Sequence, residues 1–256
     1  MELEPVKRAL VTGAGQRLGQ YMAEALAEDG YDVALHYRSS LEGVQDTAAS
    51  VEKYGRKAKL LQADLTNEDQ TAALVGQAEA ALGGHLGVLI NNASLFDDDT
   101  AQTHTREQWD AHMNVNLRAP VLLSQKFAHT LPDGARGAIV NMIDQRVWKL
   151  NPNFFTYTLS KSALWSATKT LAQALAPNIR VNGIGPGPTL QNARQSDEDF
   201  QKQVDATLTG RGANPGEIVR AVRFLLQADA VTGQMIAVDG GQHLIWQTPD
   251  VVDVIE

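Results

Sequence analysis

Arg8-Ala9-Leu10-Val11-Thr12-Gly13-Ala14-Gly15-Gln16-Arg17-Leu18-Gly19 reads as a short apolar strand, a glycine-bearing turn and the first residues of a helix. Glycines at such a junction permit positive φ and close backbone approach. Main-chain N–H groups and the helix N-terminus can then hold an anion such as a pyrophosphate. A plain tight strand-to-helix turn has the same composition, so the loop gains meaning only from what surrounds it.

Outward from this stretch, short apolar or β-branched runs alternate with longer helical patterns. Arg8 to Thr12, Asp32 to Tyr37, Ala58 to Gln62, Gly87 to Asn91, Ala138 to Met142, Ile179 to Asn182 and Met235 to Val238 read as strands. Helical patterns fall between them, for example Leu18 to Asp29, Glu68 to Leu82 and Phe154 to Ala176. Such alternation predicts parallel strands joined by right-handed helical crossovers: an α/β, Rossmann-type, doubly wound sheet of about seven strands with helices on both faces. Ligands on such sheets sit at the carboxyl ends of the strands. With no Pro/Ser-rich linker, low-complexity tract or repeat, residues 1–256 are expected to form one domain. The polar interval from Gln191 to Asn214 is the longest without strand character. Together with Thr189 and Leu190 it is expected to form a mobile helical lid, 189–214.

Bulk composition narrows the function. The chain has 256 residues, 43% of them hydrophobic and 20% charged, as in an ordinary globular protein. A formal charge of −8 argues against a nucleic-acid surface, which would have to attract phosphates against the field of the whole molecule. The first residues carry acids rather than a basic, apolar signal, and no window reaches the roughly 18 apolar residues of a membrane span. With no cysteine there is no disulfide framework or thiolate site, which fits a cytoplasmic enzyme. The six histidines (His36, His85, His104, His112, His129, His243) never pair at three or four residues' spacing, so no zinc site is expected.

The end of the second strand selects the cofactor. A chain that binds NAD usually carries Asp or Glu there for the ribose hydroxyls, whereas this one has His36-Tyr37-Arg38-Ser39-Ser40. An acid would repel a 2′-phosphate; Arg38 offers a planar fork of donors, Ser39 a hydroxyl and Arg17 a second guanidinium, so NADP(H) is expected. The alternative is that Arg38 is a solvated strand-end residue. Asp64 in Ala63-Asp64-Leu65 is placed to accept from an adenine amino group, and Asn91-Asn92-Ala93 to let backbone pass an adenosine ribose; each also suits a cap or turn.

Tyr157 and Lys161 stand four residues apart in a helical segment bounded by Asn151-Pro152 and Pro177, which puts phenol and ammonium on one face. The preceding strand ends Asn141-Met142-Ile143-Asp144, with a carboxylate at its carboxyl end. Pro120, four residues after Asn116, cannot donate to the Asn116 carbonyl, which leaves an acceptor for a water.

Taken together, the glycine loop, Asn91-Asn92-Ala93, Asn116, Tyr157-x-x-x-Lys161, Pro186-Gly187 and Asp239-Gly240-Gly241 resemble the short-chain dehydrogenase/reductase family over residues 7 to 244. The resemblance implies hydride transfer, with Tyr157 exchanging the proton, Lys161 holding the nicotinamide ribose and lowering the phenol pKa, and Asn116 holding a water of the proton relay. It implies a cofactor site of Gly13, Gly15, Arg17, Leu18, Gly19, His36, Arg38, Ser39, Asp64, Leu65, Asn92, Ala93, Tyr157, Lys161, Pro186, Gly187 and Thr189, with the Ile184 backbone at the carboxamide. A homotetramer is also implied, its tail 242–256 reaching a neighbour's pocket.

Two departures refine this. Arg17 stands where the family has a third glycine, and Asp144 where it usually has serine, thirteen residues before Tyr157. A serine hydroxyl donates to a ketone oxygen; an ionised Asp only accepts, opposes an oxyanion and keeps Tyr157 protonated. A carboxylate suits a substrate that presents N–H groups or a ring nitrogen awaiting a proton. With Ser94-Leu95-Phe96 and Leu35-His36-Tyr37-Arg38-Ser39, these departures resemble the pteridine reductase and dihydromonapterin reductase branch. That implies a ring sandwiched between nicotinamide and Phe96, and substrate contacts from Arg17, Ser94, Phe96, Asp144 and Tyr157.

Phe96 has a second reading as ordinary core, and Asp97-Asp98-Asp99 reads as a solvated helix start. Trp148, Phe154 and Phe155 are open between capping a ring and packing. The expected reaction is NADPH-dependent reduction of a heterocyclic C=N bond by pro-S hydride transfer to a small-molecule substrate. Reduction of a carbonyl, such as a 3-oxoacyl thioester or sugar-like ketone, is the alternative within enzymes, and a non-catalytic NADP(H) sensor the alternative outside them.

Overall fold

The computed structural model describes residues 6–191 and 195–252; residues 192–194 of the lid interval, 253–256 of the tail and 1–5 lie outside the described residues. Seven strands run in the order β1 Arg8–Val11, β2 Asp32–Tyr37, β3 Ala58–Gln62, β4 Val88–Asn91, β5 Gly137–Met142, β6 Ile179–Pro186 and β7 Met235–Val238. Between them lie α1 Leu18–Glu28, α2 Leu41–Lys53, α3 Glu68–Leu82, α4 Arg106–Met113, α5 Ala119–Thr130, α6 Phe155–Leu175, α7 Asp197–Asp205 and α8 Pro215–Gln227. The sheet order is β3-β2-β1-β4-β5-β6-β7, and every pairing is parallel. The chain reverses direction across the sheet between β1 and β4. The crevice at their carboxyl ends is where doubly wound sheets take ligands.

Strand alternation builds two cores. Ala9, Val11, Val33, Leu35 and Ile90 face α1, α2 and α8, whereas Leu10, Ala34, Leu89, Ile139 and Val181 face α3, α5 and α6. Both faces being covered, β4 and β5 are buried along their whole length, which is why they read as unbroken apolar runs. Helix starts follow cap chemistry: Asn67 accepts from Gln70 N–H before α3, and Thr105 with Gln108 and Asn214 with Glu217 form capping boxes before α4 and α8.

The expected architecture holds, with two local differences. β6 extends to Pro186 rather than stopping at Asn182, because Gly183 pairs with Asn141 on one side and Met235 on the other. A Cβ at Gly183 would stand 2.4 Å from Ile143 Cδ1, so this glycine marks close packing rather than a strand end. Asp97-Asp98-Asp99 starts no helix: α4 begins at Arg106, and Asp99 is buried at 3% exposure. The carboxylate is held by α6 instead of by solvent.

No helix among the described residues is long and apolar enough to cross a membrane. No cluster of three or more metal-ligating side chains occurs among them.

Candidate active site

A cavity of about 770 Å³ opens at the carboxyl ends of the central strands. The loop from Thr12 to Arg17 forms its floor. Gly13 has φ +64°, and a Cβ at Gly19 would lie 2.1 Å from the Gly13 carbonyl oxygen, so only glycine lets α1 start so close to β1. α1 has no side-chain N-cap and no acid in its first turn. The Gly19 and Gln20 N–H groups turn back to Gln16 O and Arg17 O at 3.2 Å, so the helix start offers an anion its positive end rather than a row of bare donors. Asn92 ties β4 to this loop by donating to Thr12 O at 2.9 Å and Gly13 O at 3.1 Å. Gly15, Leu18, Arg38, Ser39, Asp64, Leu65, Asn92, Ala93, Pro186, Gly187 and Thr189 also line the cavity, as the sequence leads one to expect. These residues fit a dinucleotide: a cradle for pyrophosphate and, at Arg38 and Ser39, donors for a further phosphate, with Asp64 near enough to feel the Arg38 charge.

His36, which lines the cavity, and Ile184 also have protein partners of their own. The His36 ring accepts from Gly13 N–H at Nδ1 and faces Ala63 O at Nε2, both at 3.1 Å, so it holds the loop's shape. Burial lowers its pKa to about 4. The neutral ring this geometry needs contributes its full stabilisation above about pH 6.5 and loses it as pH falls toward 4. Ile184 has its carbonyl taken by Ile143 N–H at 2.7 Å.

Arg17 sits at φ +51°, ψ −133°, backbone that favours glycine. Its guanidinium lines the cavity and donates to Leu190 O at 2.7 Å, tying the glycine loop to the start of the lid interval. We expect Arg17→Gly to raise unfolding free energy by about 1 kcal/mol: relief of about 1–3 kcal/mol of strain, less about 0.4–1 kcal/mol for the freer unfolded glycine. The same change weakens dinucleotide affinity roughly tenfold. Thermal unfolding and cofactor titration check both signs; a variant that loses stability contradicts the strain.

At the other end of the cavity α6 presents Tyr157 and Lys161, 6% and 2% exposed. The Tyr157 hydroxyl donates to Asp144 Oδ2 at 2.7 Å, while Asp144 Oδ1 accepts from Arg146 N–H at 2.8 Å. Loss of solvation raises the Asp144 pKa. Loss of solvation and then the Asp144 charge hold the phenol well above its ordinary value, although Arg146 and Arg17 pull it down. The phenol is thus kept protonated, as the carboxylate implied, and the lowering expected of Lys161 does not prevail. Lys161 donates to Met142 O at 2.7 Å, and burial, opposed by Asp144, brings it to about 8.

Asn116 is fully buried and lies in a one-turn π-helical segment, Asn114–Arg118, just before Pro120. Its side chain is saturated: Oδ1 accepts from Leu95 N–H at 2.8 Å and Ser94 Oγ at 3.1 Å, and Nδ2 donates to Leu95 O at 2.9 Å and Ser160 Oγ at 3.1 Å. The amide therefore fixes the Ser94–Leu95 backbone against α6, and any role with water falls to its carbonyl. Ser94 keeps acceptor lone pairs toward the cavity it lines.

Phe96 is half-buried in the cavity wall, stacked on Phe154 (centroids 4.2 Å apart, planes 10° apart) and edge-on to Tyr157 at 4.6 Å. Of the three open aromatics, Phe154 lines the cavity. Trp148 instead meets Trp165 and His243, and Phe155 meets His104. Sequence reasoning missed Arg146, whose guanidinium carbon lies 5.0 Å from the Phe154 ring centre and 5.7 Å from that of Phe96. Its position two residues beyond a strand-end carboxylate was the available signal. Asp98, Gln195, Asp199, Phe200, Gln203 and Gln242 complete the outer wall.

Known proteins are similar to this chain over most of its length. A family model described as enoyl-(acyl carrier protein) reductase matches residues 13–243. The crystal structure of FolM alternative dihydrofolate reductase 1 from Brucella suis in complex with NADP is 48% identical, covering 96% of this chain and 98% of that one, with a TM-score of 0.92. Its Brucella canis counterpart, also complexed with NADP, is 47% identical over 97% and 99%, with a TM-score of 0.93. The 2-dehydro-3-deoxy-D-gluconate 5-dehydrogenase of Escherichia coli (strain K12) is 34% identical over 92% of this chain and 94% of its own. With the family model matched over residues 13–243 and these relatives matched over more than nine-tenths of its length, the chain belongs to the short-chain dehydrogenase/reductase family of oxidoreductases.

Proposed function

We propose that this chain reduces a C=N bond of a pterin-like heterocycle with NADPH. The observation that carries the reading is the hydrogen bond from Tyr157 to the Asp144 carboxylate at 2.7 Å, beside the Phe96 ring. A carboxylate there opposes the oxyanion of a ketone reduction but accepts from the amino and ring N–H groups of a flat heterocycle. Phe96, already stacked on Phe154, would wall that ring, and Arg17 and Ser94 would meet its polar edge.

The bound nicotinamide would supply hydride. Lys161 would hold the ribose, exchanging its bond to Met142 O for the sugar hydroxyls. Tyr157 turns its hydroxyl from Asp144 to the ring nitrogen and delivers the proton. Arg146 and Arg17, which already favour the phenolate, offset the charge left behind. A proton drawn from water, taken up by Asp144, whose proton affinity desolvation raises, then restores the phenol. NADPH oxidation measured across a dihydropterin, dihydrofolate, a quinone and a 3-oxoacyl thioester tests the reading; faster turnover of the thioester than of either pterin overturns it.

NADPH over NADH follows from Arg38 and Ser39. Loss of one charge-assisted hydrogen bond, about 1.5–3 kcal/mol, corresponds to a roughly ten- to hundredfold weaker complex. Arg38→Asp is expected to weaken NADPH by at least that factor and leave NADH within about threefold. Titration of both nucleotides checks it, and equal losses refute the phosphate role.

Carbonyl reduction is the second reading, favoured by the 34% identity to a relative named 2-dehydro-3-deoxy-D-gluconate 5-dehydrogenase. We further place the 189–214 interval, which contains α7, as the lid over the substrate. A homotetramer fits the exposed Trp148, Leu150, Leu244 and Trp246, which light scattering would test.

A further inference from the structure

A buried chain of side chains beside the site takes no part in the mechanism above. His112, 1% exposed on α4, faces the Thr156 hydroxyl with Nδ1 at 2.7 Å and accepts from Asp97 N–H with Nε2 at 3.1 Å. The Thr156 hydroxyl donates to Asp99 Oδ2, and Thr156 N–H donates to Asp99 Oδ1 at 3.0 Å. Thr156 is fully buried, Asp99 is 3% exposed, and Asp99 O accepts from Phe155 N–H at 3.2 Å.

One protonation state satisfies every member. The Asp99 carboxylate accepts from Thr156, so the Thr156 oxygen must accept from Nδ1–H, which leaves Nε2 bare for Asp97 N–H. The chain thereby clamps the segment 95–99, which carries Phe96, to the start of α6, where Phe154 is the N-cap and Tyr157 lies in the first turn. The stacked and edge contacts of those three rings depend on that separation.

We propose that His112, Thr156 and Asp99 form a positioning clamp that sets the substrate-stacking wall against Tyr157, and that protonating His112 opens it. A proton on Nε2 would point an N–H at the Asp97 N–H. The groups facing the ring are Asp97 and Asp99 from the loop after β4, which favour the cation, and Lys161 from α6, which opposes it. The Tyr157 ring lies edge-on at 6.2 Å. Burial outweighs the two acids and puts the imidazole below its ordinary 6.5. The clamp is therefore closed at pH 6.5 and above, and opens only at lower pH, as the pH falls through the depressed value of the buried ring.

The effect on substrate rests on the pterin reading; the effect on the loop does not. Thr156→Val keeps the shape and removes the hydroxyl, and Thr156→Ser restores it. In the NADP+-bound enzyme, amide exchange across 95–99 is expected to rise roughly tenfold in Thr156→Val and to return to within about threefold in Thr156→Ser. With a dihydropterin, the Val variant raises KM roughly tenfold, leaves kcat and NADP+ affinity within about threefold, and loses the low-pH rise in KM of the parent enzyme. Unchanged exchange in the Val variant overturns the clamp. So does a joint fall of kcat, substrate affinity and cofactor affinity, or a Ser variant that fails to recover. If exchange responds and no pterin is turned over, the clamp stands and the substrate reading falls.

Discussion

Tyr157→Phe is expected to lower kcat for heterocycle reduction by about two to four orders of magnitude, the usual worth of a positioned proton donor, with dinucleotide affinity held within about threefold. The ring contributes packing, and its edge contact to Phe96 survives in phenylalanine, so the loss isolates the hydroxyl. Among the described residues the hydroxyl donates to Asp144. Removing it leaves that carboxylate with the Arg146 N–H as its remaining partner at 2.8 Å. Some destabilisation accompanies the loss of rate, and thermal unfolding separates the two. A variant that retains more than about a tenth of parental kcat removes Tyr157 from the proton path.

The second large effect is a change of substrate class. In Asp144→Ser burial still raises the phenol, but the carboxylate charge that adds to burial is gone, and a hydroxyl donor takes the place of an acceptor. Heterocycle turnover, as kcat/KM, is expected to fall by roughly two to three orders of magnitude, because the substrate's N–H groups lose their partner. Ketone turnover is expected to rise roughly tenfold or more as the site gains a donor for an oxyanion. The phenol should titrate lower in this variant, so the alkaline limb of the kcat profile moves to lower pH. Improved ketone turnover with heterocycle turnover intact contradicts the role given to Asp144.

Which parts of this site were legible in sequence follows from how far apart its members lie along the chain. The glycine loop, the tyrosine–lysine pair and the strand-end Asp144 are local patterns, each set by one strand–turn–helix junction or one helical turn, and each stands where its pattern put it. Arg17 was legible as a departure, but its positive φ was not, since backbone strain has no signature in residue identity. The clamp was hidden for another reason: Asp99, His112 and Thr156 come from three elements, and Asp99 and Thr156 are 57 residues apart. A run of three acids resembles a solvated surface until the fold buries its last member under α6. Phe154 was undecided because packing against a neighbour and lining a cavity draw on the same apolar ring, and here it does both. The end of β6 was misplaced because glycine in a strand signals either a stop or a close approach, and only the position of Ile143 distinguishes them.

The most direct test is a crystal structure of the ternary complex with NADP+ and a dihydropterin, read for the distance from the Tyr157 oxygen to the ring nitrogen that gains a proton. Expected is a ring lying against Phe96, its amino edge on Asp144, with that distance at about 2.6–3.2 Å. A ring bound elsewhere in the cavity, or one whose reducible nitrogen points away from Tyr157 while its carbonyl takes the hydroxyl, would contradict it.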